Sequence, residues 1–239
     1  ANGNALTSSG GTVTLGLTGT GGLAAVSNQG TGRYTAVLTA PTAPGSGVIS
    51  ASLGGRALTH TSNPVTVTYV VGSASTIAAN SATTQSATAG TAGGTAPSVL
   101  VTDAHSNPVV GVSVLFAVAS GGGSVVGGSA TTNTSGIATV GSWTLGPTVG
   151  ANTLTAAPGG LDGSPVTFTA TGTVGTATQM AVRSGNGQSA TAGTAVATPP
   201  SVIVRDANNN PVAGVSVVFA VVSGAGTVVP TTALTTNAS

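Results

Sequence analysis

The stretch from Gln85 to Val126 returns almost unchanged as Gln188 to Val229, a step of about 103 residues later. In the first copy the run Ser98-Val99-Leu100-Val101-Thr102-Asp103 leads into the turn Ala104-His105-Ser106-Asn107-Pro108 and a second run from Val112 to Val118. The second copy has Ser201-Val202-Ile203-Val204-Arg205-Asp206, then Ala207-Asn208-Asn209-Asn210-Pro211, then Val215 to Val221. A unit that recurs at this interval must close its own core within roughly 100 residues, so the chain is an array of small modules and not one large domain. The opening Ala1-Asn2-Gly3-Asn4-Ala5-Leu6 falls in the same register as Ala104 to Val109 and Ala207 to Val212, which makes the chain begin inside a module.

Apolar and polar residues alternate with period two in short runs separated by Gly, Asn, Ser and Pro, the pattern of half-buried strands joined by tight turns. Val13 to Leu17, Tyr34 to Leu38, Val48 to Leu53 and Val65 to Tyr69 are the expected strands of the first module, with Pro41, Pro44 and Gly45 breaking the pattern before Val48. Asn63-Pro64-Val65-Thr66-Val67 matches Ser164-Pro165-Val166-Thr167-Phe168, so the first module ends near residue 72. In the central module, Val112, Val114, Phe116 and Val118 are expected on the core face, joined by Leu154, Val166 and Phe168 from later runs. In the last, Met180 takes the place of Ile77, and Val215, Val217, Phe219 and Val221 are the inward set. No stretch carries a 3.6-residue apolar period with caps. The expectation is therefore an all-β chain of sandwiches without significant helix. The modules span 1–72 (N-terminal strands missing), 73–175 (complete) and 176–239 (C-terminal strands missing), the end modules being completed by further chain or by neighbouring copies.

Aromatic residues are 3% of the chain, so the cores must be filled by Val, Leu, Ile and Ala. Charged residues are also 3%, and all seven are four Arg and three Asp, with no Lys or Glu, which leaves a surface of hydroxyls, amides and glycine. Arg33, Arg56, Arg183 and Arg205 are scattered, which argues against a nucleic-acid partner and against attraction to anionic lipid. The longest apolar run, Val109 to Ala119, is too short to span a bilayer as a helix, so no direct membrane insertion is expected. Cysteine is absent, which removes disulfides and thiolate metal sites.

Candidate chemistry reduces to structure at each point. Asp103 and His105 would suggest a hydrolase, but the repeat keeps the acid as Asp206 and replaces the histidine by Asn208, and an Asp at the head of an Asp-x-x-x-Asn-Pro turn is occupied by the turn backbone. His60 lies in a Thr- and Ser-rich connector without a nearby carboxylate. Calcium needs six to eight oxygens with several carboxylates, and Asp103, Asp162 and Asp206 are far apart. Trp143 reads as a residue packed at the edge of the core or against the next module. Asn133-Thr134-Ser135 and Asn237-Ala238-Ser239 fit a glycosylation pattern but read more simply as hairpin turns. No catalytic, cofactor-binding or metal-binding residue is assigned, and no cofactor is expected.

The motif residues Pro97-Ser98-Val99-x-Val101-x-Asp103-x-x-x-Asn107-Pro108-Val109-x-Gly111-Val112-x-Val114-x-Phe116, then Thr132-Asn133-x-x-Gly136-x-Ala138, then Trp143-x-Leu145-Gly146 and Asn152-Thr153-Leu154-x-Ala156, resemble the bacterial immunoglobulin-like repeats of the invasin and intimin type. Gly32-Arg33-Tyr34-Thr35 in the first module looks more like the invasin or filamin variant of that fold. The resemblance implies tandem immunoglobulin-like sandwiches in a large extracellular bacterial surface protein or adhesin, serving without catalysis as stalk or spacer. The alternatives it leaves are a subunit of an extracellular filament or virion fibre and a carbohydrate- or receptor-binding module. Implied partners are neighbouring modules of the same or adjacent chains and a host receptor or glycan. With four Arg in or beside strands, the native chain is expected to resist trypsin, to change little with salt, and to be trimmed by subtilisin only near residues 72 and 175. Rapid tryptic loss in a time course would refute the folded array.

Overall fold

The computed structural model describes residues 11–30, 32–58 and 63–237. Every regular element among them is a strand, and none is a helix long and apolar enough to cross a membrane. The first module holds β1 (Val13–Gly19), β2 (Gly22–Leu23), β3 (Ser27–Asn28), β4 (Tyr34–Thr35), β5 (Leu38–Thr39), β6 (Gly45–Leu53), β7 (Arg56–Ala57) and β8 (Val65–Tyr69). The central one holds β9 (Ala74–Ala79), β10 (Thr84–Thr88), β11 (Ser98–Asp103), β12 (Ser113–Ser120), β13 (Ser124–Val126), β14 (Ser129–Thr131), β15 (Ile137–Thr139), β16 (Ser142–Thr144), β17 (Gly150–Ala157) and β18 (Val166–Thr173). The last holds β19 (Gln179–Ser184), β20 (Ser201–Arg205), β21 (Ser216–Val217) and β22 (Leu234–Thr235).

The central sandwich pairs a five-stranded sheet, β10-β18-β17-β12-β14, with a three-stranded sheet, β15-β11-β9, and β13 adds to β16. Only the β10–β18 edge is parallel in that five-stranded sheet. Alternation decides what is inside. On β12, Val114 and Phe116 are buried while Leu115 is 58% exposed, and on β18 buried Phe168 and Ala170 alternate with exposed Thr167, Thr169, Thr171 and Thr173. Val99 and Val101 of β11 and Ile77 of β9 face them, and Leu154 and Ala156 of β17 complete the layer. Each large apolar side chain so enclosed stabilises the fold by about 1.5–3 kcal/mol. The outer threonines are fixed too: Thr169 Oγ1 donates to the Thr83 carbonyl at 3.4 Å and Thr173 Oγ1 to that of Ala87 at 3.2 Å.

Trp143 departs from expectation. It is 2% exposed and lies within the central core cluster, with Val140, Leu145 and Phe168, instead of at its edge or against the next module. Aromatic residues are so few that the largest side chain available is needed to fill the middle of the core. Its Nε1 is buried without a partner among the described residues.

In the first module β1 and β8 flank β6, and β6 begins at Gly45, ahead of the expected Val48. Gly45, expected to break the strand, starts it, and Gly47 inside it permits close packing: a Cβ there would come within 2.9 Å of both the Thr20 carbonyl oxygen and the Tyr69 hydroxyl. Arg56 lies in β7, Arg183 in β19 and Arg205 in β20, and Arg33 directly precedes β4.

The last module keeps the register and loses the burial. Met180 pairs with Val204 as Ile77 pairs with Val101, yet Met180 is 65% exposed and Ile77 is buried. The run expected from Val215 to Val221 shrinks to β21, with Val215, Val217 and Phe219 half-buried and Val221 exposed. The pairs β19–β20 and β21–β22 carry, among the described residues, no counterpart of β17 and β18 to cover that face.

The contrast between faces is directly testable. Leu154→Ala should destabilise the central module by about 2–5 kcal/mol. Leu115→Ala, one methyl-rich side chain away on the outer face, should stay within about 0.5 kcal/mol of wild type. Urea unfolding followed by the fluorescence of Trp143, the single indole of the chain, reads both; equal losses would mean the faces are misassigned.

Candidate functional site at Asp103 and Asp206

The turn after β11 is built around one carboxylate. Asp103 Oδ1 accepts the backbone N–H of His105 and that of Asn107, each at 2.9 Å, and the Asn107 side-chain amide lies 3.1 and 3.0 Å from the two carboxylate oxygens. Ser106 takes a left-handed φ of 67° to close the loop. The same construction follows β20: Asp206 Oδ1 accepts from the backbone of Asn208 and Asn210 at 2.9 Å, and Asn209 has φ 65°. Asp103 and Asp206 are 4% and 1% exposed.

The remaining oxygen of each acid reaches the linker. Asp103 Oδ2 accepts the N–H of Gly72 and Asp206 Oδ2 that of Gly175, both at 2.9 Å. The approach at the first of these is close, since a Cβ on Gly72 would stand 3.2 Å from the carboxylate oxygen. The asparagines then extend upstream. Asn107 Nδ2 donates to the Thr42 carbonyl at 2.7 Å, and Asn210 Nδ2 to that of Pro147 at 2.8 Å. The second turn adds two bonds, Asn208 Nδ2 to the Ala89 carbonyl at 2.8 Å and the Val149 N–H to Asn210 Oδ1 at 3.2 Å. Gly90 makes room for Asn208, whose amide nitrogen would lie 2.8 Å from a Cβ there.

Each turn therefore ties together its own strand, the preceding linker and a loop of the preceding sheet. Sequence reasoning placed the aspartates in their turn but missed the reach to Gly72, Gly175, Thr42 and Pro147. The signal was present as glycine and asparagine kept at the same step of about 103 residues. The expected subtilisin cuts at the linkers are revised accordingly, since a backbone held by a carboxylate is a poor protease substrate.

The other candidates take structural roles. His105 uses its backbone N–H on Asp103, and its side chain is exposed with no base-and-nucleophile arrangement about it. His60 lies outside the described residues. Asn133 Oδ1 accepts from the N–H of Ser135 at 2.9 Å and of Ile137 at 3.1 Å, forming the hairpin turn with Gly136 at φ 72°. Ala238 and Ser239 are outside the described residues. Among those described no group of three His, Asp or Glu gathers, and the lone pairs of Asp103 and Asp206 face N–H donors, an arrangement opposite to what a cation needs.

Hydrogen bonding sets the titration of both acids. The Asn107 side-chain amide, helped by the backbone N–H groups of Asn107, Gly72 and His105, holds Asp103 well below the usual carboxylate range, against the opposing influence of burial. The Gly175 N–H leads in lowering Asp206 to about 2. A carboxylate whose folded pKa is depressed adds stability above its unfolded value, near 3.9, and that stability is lost as pH falls through the folded value. Thermal midpoint and resistance to cleavage at the linkers should be flat from about pH 7 to 5 and fall between about pH 4 and 2. Asp103→Asn with Asp206→Asn should abolish that acid-dependent loss by removing it at every pH. A wild-type profile retained in the double variant would show that other groups control it.

Comparison with known proteins places these turns in context. Residues 1–72 match the family model for invasin, domain 3. The chain has no significant match among curated proteins. Among solved structures it is similar to Yersinia pseudotuberculosis InvD, with a TM-score of 0.53 and 22% identity over 87% of this chain and 64% of that one. It also aligns with FdeC, an Escherichia coli adhesin, with a TM-score of 0.43 and 22% identity over 69% of this chain and 55% of that one. The chain thus spans between about half and two thirds of those solved chains. Residues 1–72 thus match the invasin domain 3 family, and the chain as a whole shares the all-β sandwich fold of InvD.

Proposed function

We propose that the chain is a structural and adhesive repeat region of a bacterial cell-surface or extracellular protein, in which modules spanning 1–72, 73–175 and 176–239 act as a stalk or spacer. The observation that carries this reading is the turn at Asp103 and Asp206, which immobilises the linker and binds the preceding sheet with the same atoms each time. A spacer that presents something at a distance must resist bending at its joints, and a joint held by hydrogen bonds to a buried carboxylate meets that need without a large apolar interface. Mechanical function also suits the surface, because few charges leave little for salt to screen. Among the described residues the same economy leaves no paired acid and base to carry a reaction, and the chain is read as non-enzymatic.

Small-angle X-ray scattering of residues 1–239 tests the proposal. The wild type should give one narrow distribution of interatomic distances, unchanged from low to moderate salt. Asn107→Ala with Asn210→Ala should broaden it and shift its maximum at a temperature where Trp143 fluorescence shows the central module still folded. A distribution identical in wild type and double variant would remove the joints from any spacer role.

A further inference from the structure

We propose that the outer face of the five-stranded sheet in the central module binds the same face of a second copy of the chain, a self-association that goes beyond the spacer reading and does not draw on the joints. None of the five strands, β10, β12, β14, β17 or β18, carries an ionisable side chain. What alternation turns outward there is threonine: Thr153 and Thr155 on β17, and Thr167, Thr169, Thr171 and Thr173 on β18. Register aligns them into rows across the sheet. Thr155 stands opposite Thr167 and Thr153 opposite Thr169, and beyond β18 the rows continue with Thr84 beside Thr169 and Ser86 beside Thr171. On the other flank β12 adds Leu115, 58% exposed, between Ser129 of β14 and Ala157 of β17.

Charge and hydrogen-bond chemistry together select a second copy as the occupant. A charged partner such as a nucleic acid or an acidic glycan finds no counter-ion on these strands, whereas a copy of the same face meets no like charge. Hydroxyls both donate and accept, so a hydroxyl surface is complementary to itself about a two-fold axis. Here the two roles are already sorted. Thr155, Thr169 and Thr173 donate their protons to the carbonyls of Ala117, Thr83 and Ala87 and present oxygen lone pairs outward. Among the described residues the hydroxyls of Thr153, Thr167 and Thr171 have no protein partner and keep a proton to donate. The threonine methyls and Leu115 supply the apolar area whose burial drives contact. Two copies also share one twist, the condition under which sheets stack face to face, as the inner faces of a sandwich do. At about 16 Å² of sheet per strand residue, the face measures about 500 Å² and a pair of copies buries about 1,000 Å², the lower bound for a specific interface. The dimer is therefore weak, with a Kd of about 0.1–1 mM, and it gains strength where arrays lie side by side and several faces engage at once.

Sedimentation equilibrium of the 239-residue protein at low ionic strength, from about 10 μM to about 1 mM, provides the test. The weight-average mass should climb from 22.1 kDa toward the dimer value. Over the same range the backbone amide resonances of β17 and β18 should move, and those of β9 and β11, in the other sheet, should stay. Thr167→Lys with Thr171→Lys sets like charges against each other across the two copies and should weaken association by about tenfold or more, with Trp143 fluorescence showing the variant folded. Mixing it with protein carrying Thr167→Glu and Thr171→Glu should restore association to at least the wild-type strength. Ala78→Lys with Thr139→Lys adds the same charge at exposed positions of the three-stranded sheet and should leave association unchanged. A constant mass of 22.1 kDa up to about 1 mM would overturn the proposal. So would resonance changes confined to other strands, undiminished association in the Thr167 and Thr171 lysine variant, failure of the opposite charges to restore pairing, or equal weakening by the Ala78 and Thr139 variant.

Discussion

A buried carboxylate surrounded by N–H donors is the interaction on which the rest of this structure depends. Asp103 and Asp206 are held by amides of their own turn, of the linker and of an asparagine four residues on. Charge-assisted hydrogen bonds of this kind are roughly twice as strong as neutral ones and need no second ion to be desolvated. That solution fits a protein with no lysine and no glutamate. One oxygen shapes the loop and the other fastens the backbone that enters the sheet, so the local fold and the joint to the preceding unit share a single determinant.

The cores obey a different economy. Buried β-branched and small side chains leave a thin layer between the sheets, and Trp143, Phe116 and Phe168 supply most of the remaining volume. Alternation keeps every second residue on the outside, where threonine covers β18 and binds carbonyls of the neighbouring segment that runs into β10. Such a surface presents hydroxyls to water in place of charge, in a chain that is both weakly charged and apolar in mean hydropathy.

Much of this was legible in the sequence because it is carried by period and repetition. The inward faces of β12 and β18, the absence of helix, the hairpin at Asn133 and the place of both aspartates follow from residue spacing alone. The depth of Trp143 did not, because a single strand pattern gives a side chain's face but not how far the opposing sheet has closed over it. Met180 and Val221 misled for the related reason that a repeat predicts register, whereas burial depends on whether covering strands are present. The reach of Asn107 to Thr42 and of Asn210 to Pro147 lies between segments that share no local pattern; only the recurrence of asparagine at one step hinted that it had work beyond its own turn. Arg183 and Arg205 looked scattered along the chain because antiparallel pairing, which sets β19 beside β20, is invisible to a count.

The joint has a directional construction: the later unit brings the grasping aspartate and asparagine, and the earlier unit offers plain backbone carbonyls and a glycine-lined gap. Main-chain carbonyls are present whatever the side chains become, so the earlier partner's demand on sequence narrows to glycine where the grasping amide needs room, as at Gly90. The carbonyl half of each joint is thus independent of side-chain identity. Lengthening such an array by one whole repeat would then bring the donors of the new joint with the added unit itself.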